Sequence, residues 1–343
     1  MAAANIRDVA ALARVSVGTV SNVLNKSKNV SPATELRVLA AIEELGFVRN
    51  DAARQLRVGQ SRTVGMMVLD VRNPFFTDVA RGVEETLADH ARSLILGNSA
   101  EDARRELEYL DLFEEQRVSG LLITPVGDVA PRLESLRRRG SPVVLVDRHD
   151  GAENFSSVSV DDQRGGALAL EHLIGVGSVR PAFVGGPRAI MQVRHRLEGA
   201  RAALEQSGGG ALRVIEMPTM SAEAGRTAGE QLLALPASER PDAIFAANDL
   251  LALGVLQALI HSGVRVPDDI ALIGYDDIYF AASSAIPLSS IRQPAEAMGR
   301  AAAELLIAEI DNGAPSAYQQ VLFQPELVIR ESTSRNNAAT LAE

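Results

Sequence analysis

The chain has 343 residues, 46% hydrophobic and 23% charged. That is more than one ordinary domain needs and too apolar for a disordered chain. It contains no cysteine, which excludes disulfides and thiol catalysis, and no apolar run approaches the ~18 residues that would span a bilayer. Charge is divided along the chain: residues 1–60 hold eight Lys/Arg against five Asp/Glu, a net +3, and since the total is −10 the remainder carries −13. A basic head on an acidic body fits a reader of duplex DNA joined to a small-molecule sensor.

The first residues, MAAANIRDVAALARVS, mix charges into the apolar positions and predict a helix rather than a secretory leader. Asn5 can cap that helix, with Asp8 as the reciprocal partner three residues on, and Ile6, Val9, Ala10 and Ala13 then share a face. Ser16 can cap a second helix running to about Leu24. Ser31, with Pro32 at the first helical position, opens a third that ends near Leu45 at Gly46. Residues 50–57 have helical propensity but little apolar surface, and Gly59–Ser61 reads as linker.

From Thr63 near-continuous apolar strands alternate with amphipathic helices. The strands are TVGMMVLD, SLILGNS, SGLLITPV and PVVLVDR, then RPAFVGG, RVIEM, DAIFAAND and IALIGYDD. Helices are expected from about Thr77 and Glu101, near 131–139, 162–174, 193–205, 222–235 and 250–261, and over 294–310. This cadence predicts parallel sheets covered by helices on both faces. It comes in two runs, which predicts two lobes, about 63–161 with part of the C-terminal region and about 162–290 with one last strand, QVLFQPELVIR. The five histidines are dispersed with no i, i+4 pair, so no metal site is expected. No phosphate loop, dinucleotide fingerprint or nucleophile elbow appears, and no cofactor or enzymatic activity is expected. Adjacent acids such as Asp161/Asp162 and Asp276/Asp277 do not face each other across a bond as glycoside chemistry requires.

On the second helix Val20, Val23 and Leu24 form an inward stripe, and Val17, Gly18, Ser21, Asn22 and Asn25 lie opposite. Short polar side chains on the first turns of a helix suit entry into a major groove. In open α/β sheets ligands sit beyond the carboxyl ends of the strands. Asn73, Asp147, Arg148, Asn248, Asp249, Asp276 and Asp277 all stand at such ends, and Arg196 lies near a helix start. Carboxylates, amides and a guanidinium together can hold vicinal hydroxyls, with Phe75 or Phe76 as an apolar wall. Asp249 and Asp277 read instead as caps or structural residues.

The segment RDVAALARVSVGTVSNVLN (7–25) resembles the head of the lactose-repressor/galactose-repressor (LacI/GalR) family. VSPATELRVLAAIEELGF, NDAARQLR, NPFF, AANDLLALG and VPDDIALIGYDD continue the resemblance in order along nearly the whole chain. It implies a helix-turn-helix head with hinge helix over residues 1–60, the hinge at about 50–57. A two-lobed, periplasmic-binding-protein-like effector and dimerisation domain with parallel sheets follows over 61–343. Val17, Gly18 and Asn22 would face base edges, Thr19 and Ser21 the DNA backbone, Leu56 would wedge into the minor groove, and Arg54 would attract phosphate. Asn22 stands where many relatives carry Arg. The effector site would comprise Asn73, Phe75, Asp147, Arg148, Arg196, Asn248 and Asp276, with Met220 where several relatives place an aromatic ring. The implied protein is a cytoplasmic homodimeric regulator, with a pseudo-palindromic operator and a sugar-like effector as partners. A transport-type sugar-binding protein would share the body but not the head.

Overall fold

The computed structural model describes residues 4–24, 30–47, 61–148 and 154–334, and divides into two compact units, Met1–Ser61 and Arg62–Glu343. Among the described residues of the first unit are three helices, α1 (Ile6–Leu12), α2 (Val17–Leu24) and α3 (Pro32–Leu45). Their ends are set by local chemistry. Asn5 accepts from the Arg7 and Asp8 amides while Asp8 returns a bond to the Asn5 amide at 2.8 Å, a capping box. Ser16 caps α2 through the Thr19 amide, 3.0 Å. Ser31 caps α3, which closes on Gly46 at φ 57°. Val9, Ala13, Val20, Val23, Val38 and Ala41 are buried between the helices, a core small enough that good caps, worth about 1 kcal/mol each, matter to it.

The second unit is built on two six-stranded sheets. The first contains β1 (Thr63–Val68), β2 (Ser93–Asn98), β3 (Leu121–Ile123), β4 (Val143–Val146), β5 (Ser156–Val160) and β11 (Gln320–Phe323) in the order β11-β5-β4-β3-β1-β2, all parallel. Alternation on β1 sends Met66 into one core and Met67 into another on the opposite face. Both faces are therefore covered, which is why the strand reads as a continuous apolar run. Helices α4 (Pro74–Asp89), α5 (Ala103–Glu115), α6 (Ala130–Arg138) and α12 (Ala295–Asn312) complete this lobe.

The second sheet contains β6 (Pro181–Gly185), β7 (Arg213–Glu216), β8 (Ala243–Ala246), β9 (Ala271–Asp276), β10 (Ser289–Arg292) and β12 (Glu326–Val328) in the order β12-β10-β9-β8-β6-β7. Only β12 runs antiparallel, against β10. The lobe's helices are α7 (Asp162–Gly175), α8 (Met191–Gln206), α9 (Ala222–Leu233), α10 (Asp249–His261) and the short α11 (Tyr279–Ser283). The chain crosses between lobes three times: after β5, after β10, and between β11 and β12.

The last crossing corrects one expectation. QVLFQPELVIR is two strands, one in each sheet, with Gln324 and Pro325 between them. Proline has no N–H to give a ladder, so pairing stops there and the chain changes sheets. Two strands were also missed, β5 (SSVSV) and β10 (SSIR), because serine has weak strand preference. Two of their hydroxyls reach distant carboxylates: Ser156 donates to Glu309 at 2.6 Å and Ser290 to Asp249 at 2.7 Å. The helix expected from about Thr77 begins at Pro74, because Asn73 caps it through the Phe75 amide at 3.1 Å.

Candidate effector cleft and DNA-facing helix

On α2, Val20 and Val23 are buried while Val17, Gly18 and Asn22 are exposed and Thr19 and Ser21 half-buried. The inward stripe is occupied by the head's own core, so Val17, Gly18 and Asn22 remain available to a partner. Arg54, Leu56 and Asn25 lie outside the described residues.

In the body, the carboxyl ends of the two sheets face each other across a cleft. From the first lobe come Asn73, at the start of α4, and Asp147, after β4. From the second come Arg196 and Gln192 on α8, Asn248 before α10, and Asp276 at the end of β9. Leu69, Phe75, Phe76 and Met220 supply the apolar wall, with the two phenyl rings edge to face at 5.0 Å. The free volume in the cleft is about 20 Å3, room for roughly one water and too little for a sugar in this arrangement.

Arg196 organises the floor. Its Nε donates to Asp162 at 2.8 Å and its Nη1 to the Ala247 carbonyl at 2.7 Å, with Asp276 at 3.6 Å. The guanidinium lies 3.7 Å from the centroid of the Tyr275 ring, a desolvated cation–π contact of about 2 kcal/mol. Burial opposes its charge, but Asp162, then Tyr275, Asp276 and Asp147, outweigh that and hold its pKa above the ordinary value. Burial raises the pKa of Asp147, reinforced by Asp162 and Asp276 and opposed by Arg196. Burial also raises Asp276, with Arg196, Asn73 and Gln293 opposing. Both carboxylates sit on left-handed backbone, Asp147 at φ 54° and Asp276 at φ 102°. Such conformations cost of order 1–3 kcal/mol and persist where the surroundings overdetermine them, often at binding sites.

Two hydrogen-bonded pairs tie the lobes together. Asn73 Nδ2 donates to Asp276 Oδ2 at 2.8 Å. Gln192 Nε2 donates to Asp147 Oδ2 at 3.0 Å and also to the Asp147 carbonyl. Asn248 caps α10 through the Leu251 amide at 2.9 Å and donates to the Met220 carbonyl at 3.1 Å. Six of the seven expected effector residues thus line one cleft: Asn73, Phe75, Asp147, Arg196, Asn248 and Asp276. Arg148 does not. It follows the left-handed turn at Asp147; its Nη1 donates to the Gly127 carbonyl at 2.9 Å and it lines a separate depression with Leu133 and Phe155. Asp249 and Asp277 are tied up structurally. The first accepts from the Ile278 amide and Ser290, and the second pairs with Arg292 and Arg330.

Sequence reasoning missed Gln192. It precedes Arg196 by four positions, so a helix begun two residues earlier than expected presents both on one face. Gln293, which donates to Asp276 Oδ1 at 2.8 Å, carried no comparable signal.

Packing fixes the helix that carries Gln192 and Arg196. A Cβ at Gly166 of α7 would lie 2.0 Å from the Arg196 carbonyl oxygen, and one at Gly199 of α8 would lie 1.9 Å from that of Gln163. Only glycine permits this approach, which sets Asp162 within reach of Arg196.

Among known families, residues 5–50 match the lacI family of bacterial regulatory proteins, and residues 170–333 match a periplasmic binding protein-like domain. The ribose operon repressor of Escherichia coli (strain K12) is 37% identical over 335 residues, covering 96% of this chain and 99% of that protein. The lac repressor dimer bound to operator and an anti-inducer superposes with a TM-score of 0.82 at 27% identity, covering 97% of this chain and 99% of that one. A LacI family regulator from Enterococcus faecium with bound ribose gives a TM-score of 0.72 at 29% identity, over 79% of this chain and 98% of that one. Among the described residues no helix is long and apolar enough to cross a membrane. With its helix-turn-helix head and two-lobed α/β body, the chain belongs to the lacI family of bacterial regulatory proteins.

Proposed function

We propose that this protein is a homodimeric repressor of transcription that binds a pseudo-palindromic operator. A small polyhydroxylated effector, a sugar or its derivative, controls that binding from between the lobes. The observation that carries the reading is the convergence of Asp147, Arg196, Asn248 and Asp276 with Phe75 in one cleft, on a chain that also offers the exposed Val17, Gly18 and Asn22 of α2. Forked acceptors and donors beside a flat apolar wall suit hydroxyls on a small ring. A single head makes few base contacts, and two-fold symmetry would place two heads on adjacent turns of the duplex. Exposed Ile95 and Leu96 on the edge strand β2, with Tyr279 and Phe280 on the second lobe, supply apolar surface for a second copy.

A regulator of this kind works in the cytoplasm, where the DNA is, and binds its effector without turning it over. A ligand that touches both lobes shifts their arrangement only by its differential affinity for the two states, typically ~1–3 kcal/mol. The test is selection of duplexes from a randomised pool, followed by anisotropy titrations with a panel of free sugars. Inverted half-sites, a two-to-one stoichiometry and a sugar-dependent change in affinity are expected. A single unrepeated half-site, or DNA binding indifferent to every sugar, would sink the reading.

A further inference from the structure

The charge arrangement of the cleft separates two kinds of polyol. We infer that it admits an uncharged sugar and excludes the phosphate ester of that sugar, and that Asp147 with its partner Gln192 makes the choice. The inference rests on the effector reading above and deepens it.

Among the described residues Arg196 is the one cationic side chain lining the cleft, and its charge is already committed. Asp162 takes it at 2.8 Å, Asp276 stands at 3.6 Å, and the Tyr275 ring covers its face. Two carboxylates and a ring therefore surround the guanidinium, and a phosphate would meet no cation free to receive it. Arg148, adjacent to Asp147 in sequence, turns to the Gly127 carbonyl and lines a different depression.

Helix N-termini could substitute for a cation, since their free amides attract anions. Three reach this cleft. Asn73 caps the first through the Phe75 amide and Asn248 caps the second through the Leu251 amide. The third, at the start of α8, has no side-chain cap, but its Gln192 holds the Asp147 carboxylate beside it. Two of the positive ends are thus capped from within the protein, and the third already has an acid next to it.

The unfilled valence is of the opposite kind. Asp147 is 3% exposed, and its Oδ1 has no hydrogen-bond partner while Oδ2 accepts from Gln192. A buried carboxylate oxygen without a donor is costly. A ligand hydroxyl donates a proton to it and relieves that cost, whereas a phosphate oxygen brings a second negative charge to the same place. Rejection by repulsion is a recognised route to specificity.

The test is calorimetric titration at pH 8 with free pentoses and hexoses and their terminal phosphates, scored as the ratio of the two affinities for each sugar. The free sugar should bind about 100-fold or more tightly than its ester. Asp147→Asn should narrow that ratio at least tenfold, and Gln192→Glu, which adds a carboxylate beside Asp147, should widen it. A merely structural role would weaken free sugar and ester together and leave the ratio unmoved. An ester that binds as tightly as its free sugar overturns the inference while leaving an effector-controlled repressor standing. A ratio unchanged in both variants overturns the assignment to Asp147 and Gln192. Failure of every sugar, free or esterified, overturns the polyol reading and this inference with it.

Discussion

Asn73 and Asp276 stand 203 positions apart and meet across the cleft, the Asn73 amide donating to the Asp276 carboxylate at 2.8 Å. The same Asn73 accepts from the Phe75 amide and so caps the first helix of its own lobe. One side chain therefore starts a local element and fastens two halves of the body.

These two roles can be separated. Asn73→Asp keeps an oxygen for the cap but sets two carboxylates against each other where a donor had been. The variant is expected to favour parted lobes, to lose about 1–3 kcal/mol of body stability, and to bind effector at least tenfold more weakly. Small-angle scattering at pH 8 should show a larger radius of gyration than wild type. An unchanged radius together with unchanged effector affinity would show that this bond does not hold the lobes.

Arg196 neutralises Asp162 and Asp276 inside the fold. Arg196→Met leaves those acids without their counter-charge, and removal of one partner from a buried ion cluster costs about 3–5 kcal/mol. The loss should be greater at pH 8 than at pH 5. Asp147 and Asp276 already have raised pKa values, and without the guanidinium they ionise with still more difficulty. Denaturant melts at both pH values check the size and the sign. Equal destabilisation at the two would show that electrostatics is not the cause.

Glu101 follows β2, and its pKa is pushed up to about 7. Burial is the main cause and the charge of Asp70 adds to it, while the Met220 amide and Arg72 oppose. The folded state thus holds the proton more tightly than the unfolded chain does. The stability from this group is complete below the ordinary pKa near 4.5 and is lost as pH rises through about 7. Glu101→Gln removes that dependence. Its melting temperature should exceed that of wild type at pH 8, with the gap closing toward pH 5. A gap of constant size, or one that reverses, would show that Glu101 ionises without penalty.

On the head, Asn22 is exposed on α2 and contributes nothing to the buried core. Asn22→Ala should weaken operator binding by about 1–3 kcal/mol and relax the preference at one base pair of each half-site. Binding of effector to the body, measured by calorimetry, should stay at the wild-type value. Equal losses on operator and on unrelated duplexes would make Asn22 a backbone contact instead.

The parts of this protein that were legible in the sequence are those whose partners lie within one turn of chain. Asn5 with Asp8, Ser16 with Thr19, Ser31 with Thr34, and Gly46 with Glu43 settle helix ends by bonds between residues three apart. The apolar runs of β1, β8 and β9 announced parallel strands because both faces of each are covered, leaving no polar position to blur the pattern. Cleft residues at strand ends were visible for the same reason, since a polar residue after an apolar run marks the edge of a sheet.

Tertiary structure alone decided what depends on groups far away in the chain. Ser156 of β5 and Ser290 of β10 are accommodated in buried strands because Glu309 and Asp249 receive their hydroxyls, partners 153 and 41 positions distant. Pro325 divides the C-terminal apolar run between two sheets because each half pairs with a strand from a different lobe. Gln192 acquires its role only when the lobes bring Asp147 to it from 45 positions away. Whether a polar side chain in the cleft is spent on the protein or left for a ligand turns on such contacts. The cost of an unmet buried acceptor is set by the three-dimensional neighbourhood, not by the residue that carries it.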